Sequence, residues 1–164
     1  MLRVAAEGDV SVMLPMVTVA RELTAAIALF RDEAAKLTAA GVANAMPRLG
    51  IMVEVPAVAI APELLAEAQF FSIGSNDLTQ YVMAASRDNA AVASLHDPMH
   101  PAVLGLIANV VRFAVEHDIP VSLCGDAGGD PAMIPALLRA GLRSLSVSPA
   151  QLAFAKLAVA GAVL

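Results

Sequence analysis

The stretch Phe70-Phe71-Ser72-Ile73-Gly74-Ser75-Asn76-Asp77-Leu78-Thr79-Gln80-Tyr81 passes from an apolar strand signal straight into Gly, Ser, Asn and Asp. Aromatic and β-branched residues favour a buried, pleated strand, and the small polar residues after them end it. Two other segments share the design. Gly50-Ile51-Met52-Val53-Glu54-Val55-Pro56 and Ile119-Pro120-Val121-Ser122-Leu123-Cys124-Gly125-Asp126 are short aliphatic runs that finish on a reactive side chain. In parallel α/β folds the carboxyl ends of the strands open onto the ligand site, so Glu54, Asn76, Asp77 and Cys124 are expected at one end of a sheet.

Working outward, residues 10–16 read as a strand stopped by Pro15, and residues 144–147 as a last strand. Between the strands lie helical patterns. Leu23, Ile27, Phe30 and Leu37 keep helical spacing over residues 19–37, with Arg21, Glu22, Arg31, Asp32, Glu33 and Lys36 between them. Further helices are expected over residues 61–68, 78–86, 102–117 and 131–139, and from Pro149 onward. The order is strand then helix throughout, and the strands are apolar as in a parallel sheet covered on both faces. A doubly wound sheet and a (β/α)8 barrel both fit. A complete barrel takes about 250 residues, so 164 residues supply part of one.

Composition bounds the function. With 59% hydrophobic residues and a mean hydropathy of +0.73, the chain can bury one substantial core. Every apolar run is cut by charge, Pro or Gly well short of the roughly 20 residues a spanning helix needs, and residues 1–9 turn acidic too early for a signal peptide. A cytoplasmic location is expected, in keeping with a single cysteine, Cys124. A net charge of −5, no Trp and one Tyr argue against a nucleic-acid partner.

The Glu54 segment, the 70–81 run, Arg87 and Leu123-Cys124-Gly125-Asp126 together resemble the phosphoenolpyruvate (PEP)-binding barrel of the PEP-utilising enzymes, over nearly the whole chain. Asn76-Asp77-Leu78-Thr79-Gln80-Tyr81, leading through Ser86-Arg87 to Asp97-Pro98-Met99-His100-Pro101, is most similar to the PEP-protein phosphotransferases, the enzyme I group of the sugar phosphotransferase system. Pyruvate phosphate dikinase and PEP synthase are the nearest alternatives within the family. The resemblance implies that residues 1–164 are a partial (β/α)8 TIM barrel, about strands four to eight, with a parallel sheet and covering helices. The first three strands and a phosphohistidine domain would lie outside it, leaving the chain inactive alone. It also implies PEP as substrate, Mg²⁺ as cofactor, a phosphocarrier protein as partner reached through that other domain, and a homodimer.

Each candidate residue has a functional and an ordinary reading. Glu54 and Asp77 offer hard carboxylate oxygens of the kind Mg²⁺ takes, and the resemblance makes them its ligands. Otherwise Glu54 is half of an ion pair and Asp77 a helix N-cap. Asn76 and Arg87 resemble the family's phosphate contacts, for which a planar guanidinium with paired donors is suited. Otherwise Asn76 makes an Asx-turn and Arg87 is solvated. Gly74 lets backbone come close to a ligand. Cys124 resembles the residue that protonates the methylene carbon of enolpyruvate, and a thiol is a proton donor at neutral pH; otherwise it is a small buried hydrophobe. Asp126 stands where many relatives carry Glu, one methylene longer. His96, His100 and His117 receive no catalytic role, and Met13, Met16, Met52 and Met83 are read as core filler. A noncatalytic assembly piece of a split barrel, and a lyase or aldolase on a related barrel, stand behind the phosphotransferase reading.

Overall fold

Four strands, β1 (Ser11–Leu14), β2 (Arg48–Val53), β3 (Phe71–Gly74) and β4 (Val121–Cys124), lie side by side in sequence order with every pair parallel. They belong to a computed structural model that describes residues 1–162. The last two residues of the expected 1–164 unit lie outside the described residues. Successive strands are joined by crossovers through helices, as parallel pairing requires. Helix α1 (Leu2–Ala5) precedes β1, and the crossovers run through α2 (Ala20–Ala39), α3 (Pro56–Ile60), α4 (Ser75–Met83) and α5 (Pro101–Glu116). The chain then passes through α6 (Asp126–Gly129), α7 (Ile134–Arg139) and α8 (Leu152–Gly161). An α/β chain with an all-parallel sheet and flanking helices is what part of a (β/α)8 barrel provides.

The register places the site. Val53 pairs with Ile73 and Ile73 with Leu123, while Gly74 pairs with Cys124. Side chains alternate between faces along a strand, so Val53, Ile73 and Leu123 share one face and are all fully buried. That face packs on α5, where Val103, Ile107, Val110 and Ala114 recur at helical spacing and are buried too. Phe71 joins them, stacking on Phe113 at 6.4 Å between ring centroids. Burying a side chain of this size is worth about 1.5–3 kcal/mol, so the hydrophobic face fixes which residues remain on the other. Met52, Ser72 and Cys124 occupy that other face, and the next residue after β2 is Glu54.

Several expectations are corrected. The strand expected at 144–147 is a single bridge, Leu145 to Leu123, with Leu123 N–H donating to Ser144 O at 3.1 Å and Ser146 N–H to Leu123 O at 2.8 Å. Serines alternate through this segment, and among the described residues no strand lies on its outer side to extend the ladder. The helix expected at 61–68 starts earlier, because Pro56 suits a first helical turn. It breaks at Ala61, which precedes a proline and is pushed out of the helical region. A 3₁₀ turn, Pro62–Leu65, follows. Helix α4 begins at Ser75 and ends on Ala84 in the left-handed region, three residues ahead of the expected 78–86. Met13 and Met16 are exposed and are not core filler. No helix among the described residues is long and apolar enough to cross a membrane.

Candidate active site at the strand ends

Glu54 follows β2 and is only 3% exposed, yet no Lys, Arg or His pairs with it among the described residues. Among the described residues Glu54 forms no ion pair. Its Oε1 accepts the Met16 N–H at 2.7 Å. Met16 reaches this position with φ of 55°, a region that a non-glycine residue rarely adopts, so the turn after β1 carries strain where it meets the carboxylate. Burial pushes the Glu54 carboxyl above the ordinary glutamate range; the Met16 amide opposes this, and the neighbouring Asp77 carboxylate raises it further.

Asp77 is not a helix cap. The N-cap of α4 is Gly74, and Asp77 sits in the first turn, where the helix dipole favours a negative charge. From there its carboxylate is a near neighbour of Glu54 and raises that group's pKa. Gly74 makes this possible. A Cβ on it would lie 2.9 Å from Glu54 Oε2 and 3.0 Å from Met52 Sδ, so the missing side chain is the space the carboxylate occupies.

Asn76 is held at three points. Its Oδ1 accepts the Asp126 N–H at 3.1 Å, its Nδ2 donates to Asp126 Oδ2 at 3.1 Å, and its carbonyl faces His96 Nε2 at 3.1 Å. A carbonyl only accepts, so Nε2 carries the hydrogen. Arg87 Nη1 lies 3.7 Å from the same Asp126 Oδ2, and the Arg87 side chain is half exposed. The Asx-turn reading of Asn76 is not what forms: its side chain bonds across to the segment after β4.

Cys124, half-buried, ends β4 beside Gly74. The Ser72 hydroxyl donates to its Sγ at 3.5 Å, and the thiol points to Ile73 O at 3.5 Å. Ser75 Oγ donates to the Cys124 carbonyl at 2.9 Å, and Thr79 Oγ1 donates to Ser75 O at 2.7 Å. The turn that follows needs glycine, since Gly125 has φ of 100° and a Cβ there would overlap Ser75 Oγ. The thiol is thus fixed by polar neighbours, unlike a cysteine used as a small hydrophobe.

Two carboxylates from adjacent strand ends can hold a hard divalent cation that keeps waters and draws other ligands from a phosphate. Among the described residues no group of three or more His, Cys, Asp or Glu exists that would form a closed protein site. Amide and guanidinium donors beside the pair suit an anion. A cavity of about 390 Å³ opens at the opposite, amino-terminal strand ends, lined by Ser11, Phe70, Pro120 and Ser144 among others.

The sequence model described as the PEP-binding domain of PEP-utilising enzymes matches residues 1–163. The chain belongs to the PEP-utilising enzymes. It is 46% identical over 164 residues to the phosphoenolpyruvate-protein phosphotransferase of Haloferax volcanii, covering 98% of this chain and 29% of that protein. To the protein of the same name from Cupriavidus necator it is 43% identical over 154 residues, covering 93% of this chain and 26% of the relative. A protein of Escherichia coli named phosphoenolpyruvate-dependent phosphotransferase system is 40% identical over 154 residues, 93% of this chain and 21% of its own length. The chain therefore spans less than a third of the curated relatives it matches.

Within this PEP-binding domain the structure brings Glu54, Gly74, Asp77 and Cys124 to neighbouring strand ends, with Asn76 directly before Asp77. Arg87 is linked to the cluster through Asp126. Ser72, Ser75 and Met16 escaped the sequence reading. Ser72 and Ser75 carried a signal, a buried serine on either side of the strand end, but Met16 acts through its backbone and had none.

Proposed function

We propose that this chain is the PEP- and Mg²⁺-binding part of a PEP-protein phosphotransferase. The observation that carries the reading is the meeting of the Glu54–Asp77 carboxylate pair with Cys124 across Gly74, at the carboxyl ends of adjacent parallel strands. The names of the relatives supply the reaction class.

Glu54 and Asp77 would hold the ion, and Mg²⁺, when bound, offsets phosphate charge and orients the substrate. Buried and, among the described residues, without a basic partner, Glu54 is suited to a cation. Asn76 and Arg87 bind phosphoryl oxygens, so that positioning and electrostatics supply most of the catalysis. The phosphorus–oxygen bond of PEP breaks, the phosphoryl group passes to a histidine, and the enolate oxygen keeps the bonding electron pair. As the enolate collapses to the ketone of pyruvate, its methylene carbon takes a proton from Cys124 Sγ. The Ser72 hydroxyl, already directed at that sulfur, stabilises the thiolate until solvent reprotonates it.

The acceptor histidine and the phosphocarrier protein belong to the full-length reading, as do a homodimer and a cytoplasmic setting. His96, His100 and His117 are not the acceptor: His96 is engaged behind Asn76, His100 caps α5 through Nδ1, and His117 stacks on Phe113.

Mn²⁺ in place of Mg²⁺ tests the metal assignment by its paramagnetic relaxation of water. Saturable relaxation enhancement that Glu54→Gln and Asp77→Asn each abolish is expected. Enhancement that survives both substitutions would refute the assignment.

A further inference from the structure

Asp126 is the one charged residue at the site without a role in the reaction as proposed, and two donors from different segments converge on a single oxygen of it. Asn76 Nδ2 donates to Oδ2 at 3.1 Å, and Arg87 Nη1 lies 3.7 Å from the same atom. The orientation of the Asn76 amide is not arbitrary, because its Oδ1 is claimed by the Asp126 backbone N–H at 3.1 Å, which turns the donor end toward Oδ2. The backbone contact stays with any residue at 126; the carboxylate contact does not.

We propose that the Asp126 carboxylate stands in for a phosphoryl oxygen, occupying the anion position formed by Asn76 and Arg87 until phosphate displaces it. This rests on the phosphate role given above to Asn76 and Arg87. The Asp126 side chain is 89% exposed, so it swings into solvent at little cost and leaves no buried gap. Exposed ion pairs are weak, which makes the carboxylate a competitor that substrate can remove. Once displaced it stays near the incoming anion and repels it. Asp126 therefore sets the affinity of the site for anions and makes binding select for a ligand charged enough to win the exchange.

The test compares the chain with Asp126→Asn and Asp126→Ala. Both remove the charge, and only the first keeps a side chain long enough to bridge. PEP with Mg²⁺ is titrated by calorimetry, and inorganic phosphate is titrated separately while the side-chain amide signals of Asn76 are followed by NMR. Both substitutions are expected to tighten PEP and phosphate binding by roughly threefold to tenfold, the size of one partly screened like-charge repulsion. Unchanged or weaker binding in both, with the NMR spectrum still that of the folded chain, would mean that Asp126 positions Asn76 and Arg87, and would overturn the proposal. So would Asn76 signals that respond to phosphate in no variant. If phosphate binds and tightens as expected but PEP with Mg²⁺ does not bind, the phosphotransferase reading fails and the anion exchange stands.

Discussion

The Glu54 carboxylate after β2 and the Asp77 carboxylate in the first turn of α4 are neighbouring like charges, and no basic side chain among the described residues pairs with Glu54. Such a pair is costly in the free chain, since burial and like charge both disfavour ionisation of Glu54. A cation removes both penalties. Mg²⁺ at about 100 times its dissociation constant is expected to stabilise the folded chain by about 2.7 kcal/mol, read as a rise in melting temperature that Asp77→Asn abolishes.

The raised Glu54 carboxyl has a signed consequence for pH. A folded chain that binds the proton more tightly than the unfolded one is stabilised by it below the ordinary glutamate pKa. That contribution is lost as pH rises through the raised folded value. In metal-free buffer, urea unfolding from pH 4 to 8 should show wild type losing stability relative to Glu54→Gln as pH increases. A difference that stays flat with pH would contradict the assignment.

Gly74→Ala puts a methyl group 2.9 Å from Glu54 Oε2 and 3.0 Å from Met52 Sδ. Overpacking of this kind costs about 1–3 kcal/mol. Urea midpoints should fall accordingly, and affinity for Mn²⁺ should fall with them because the carboxylate is the group displaced.

Gly125→Ala meets a different obstacle. The backbone at φ of 100° disfavours any side chain, and the new Cβ overlaps Ser75 Oγ. Strain of about 1–3 kcal/mol adds to the overlap, so this substitution should destabilise the chain more than Gly74→Ala. It also breaks the Ser75 bond to the Cys124 carbonyl, and should change the rate of thiol alkylation.

Ser72→Ala removes the hydroxyl directed at Cys124 Sγ. One hydrogen bond is worth about 0.5–1.5 kcal/mol, so alkylation of Cys124 by iodoacetamide at neutral pH should slow by roughly twofold to tenfold, with PEP affinity unchanged. An unaltered rate would leave Ser72 a packing residue only.

The strand ends were legible because apolar runs that stop on Gly, Asn or Asp report burial and termination together, and the parallel register then aligns Gly74 with Cys124 without further information. The helix over 102–117 was legible for the same reason, its buried positions repeating at helical spacing. What escaped depends on neighbours far away in sequence. Leu145 fails to extend into a strand because nothing among the described residues pairs with its outer side. The alternative of Asp77 as a cap arose because Leu78 begins the apolar pattern, whereas Ser75 and Asn76 already have helical backbone. The Asn76–Asp126 pairing joins two turns whose proximity only the sheet creates. Met16 holds Glu54 by a backbone N–H, which every residue except proline possesses.

The central claim is that these strand ends form a PEP site that depends on a divalent cation. Calorimetric titration of the chain with PEP, with and without Mg²⁺, tests it most directly, with Glu54→Gln and Asp77→Asn as companions. The account predicts saturable binding with Mg²⁺, little without it, and none in either variant. Binding that is indifferent to Mg²⁺ and to both carboxylates, or no binding by a chain shown to be folded, would contradict it.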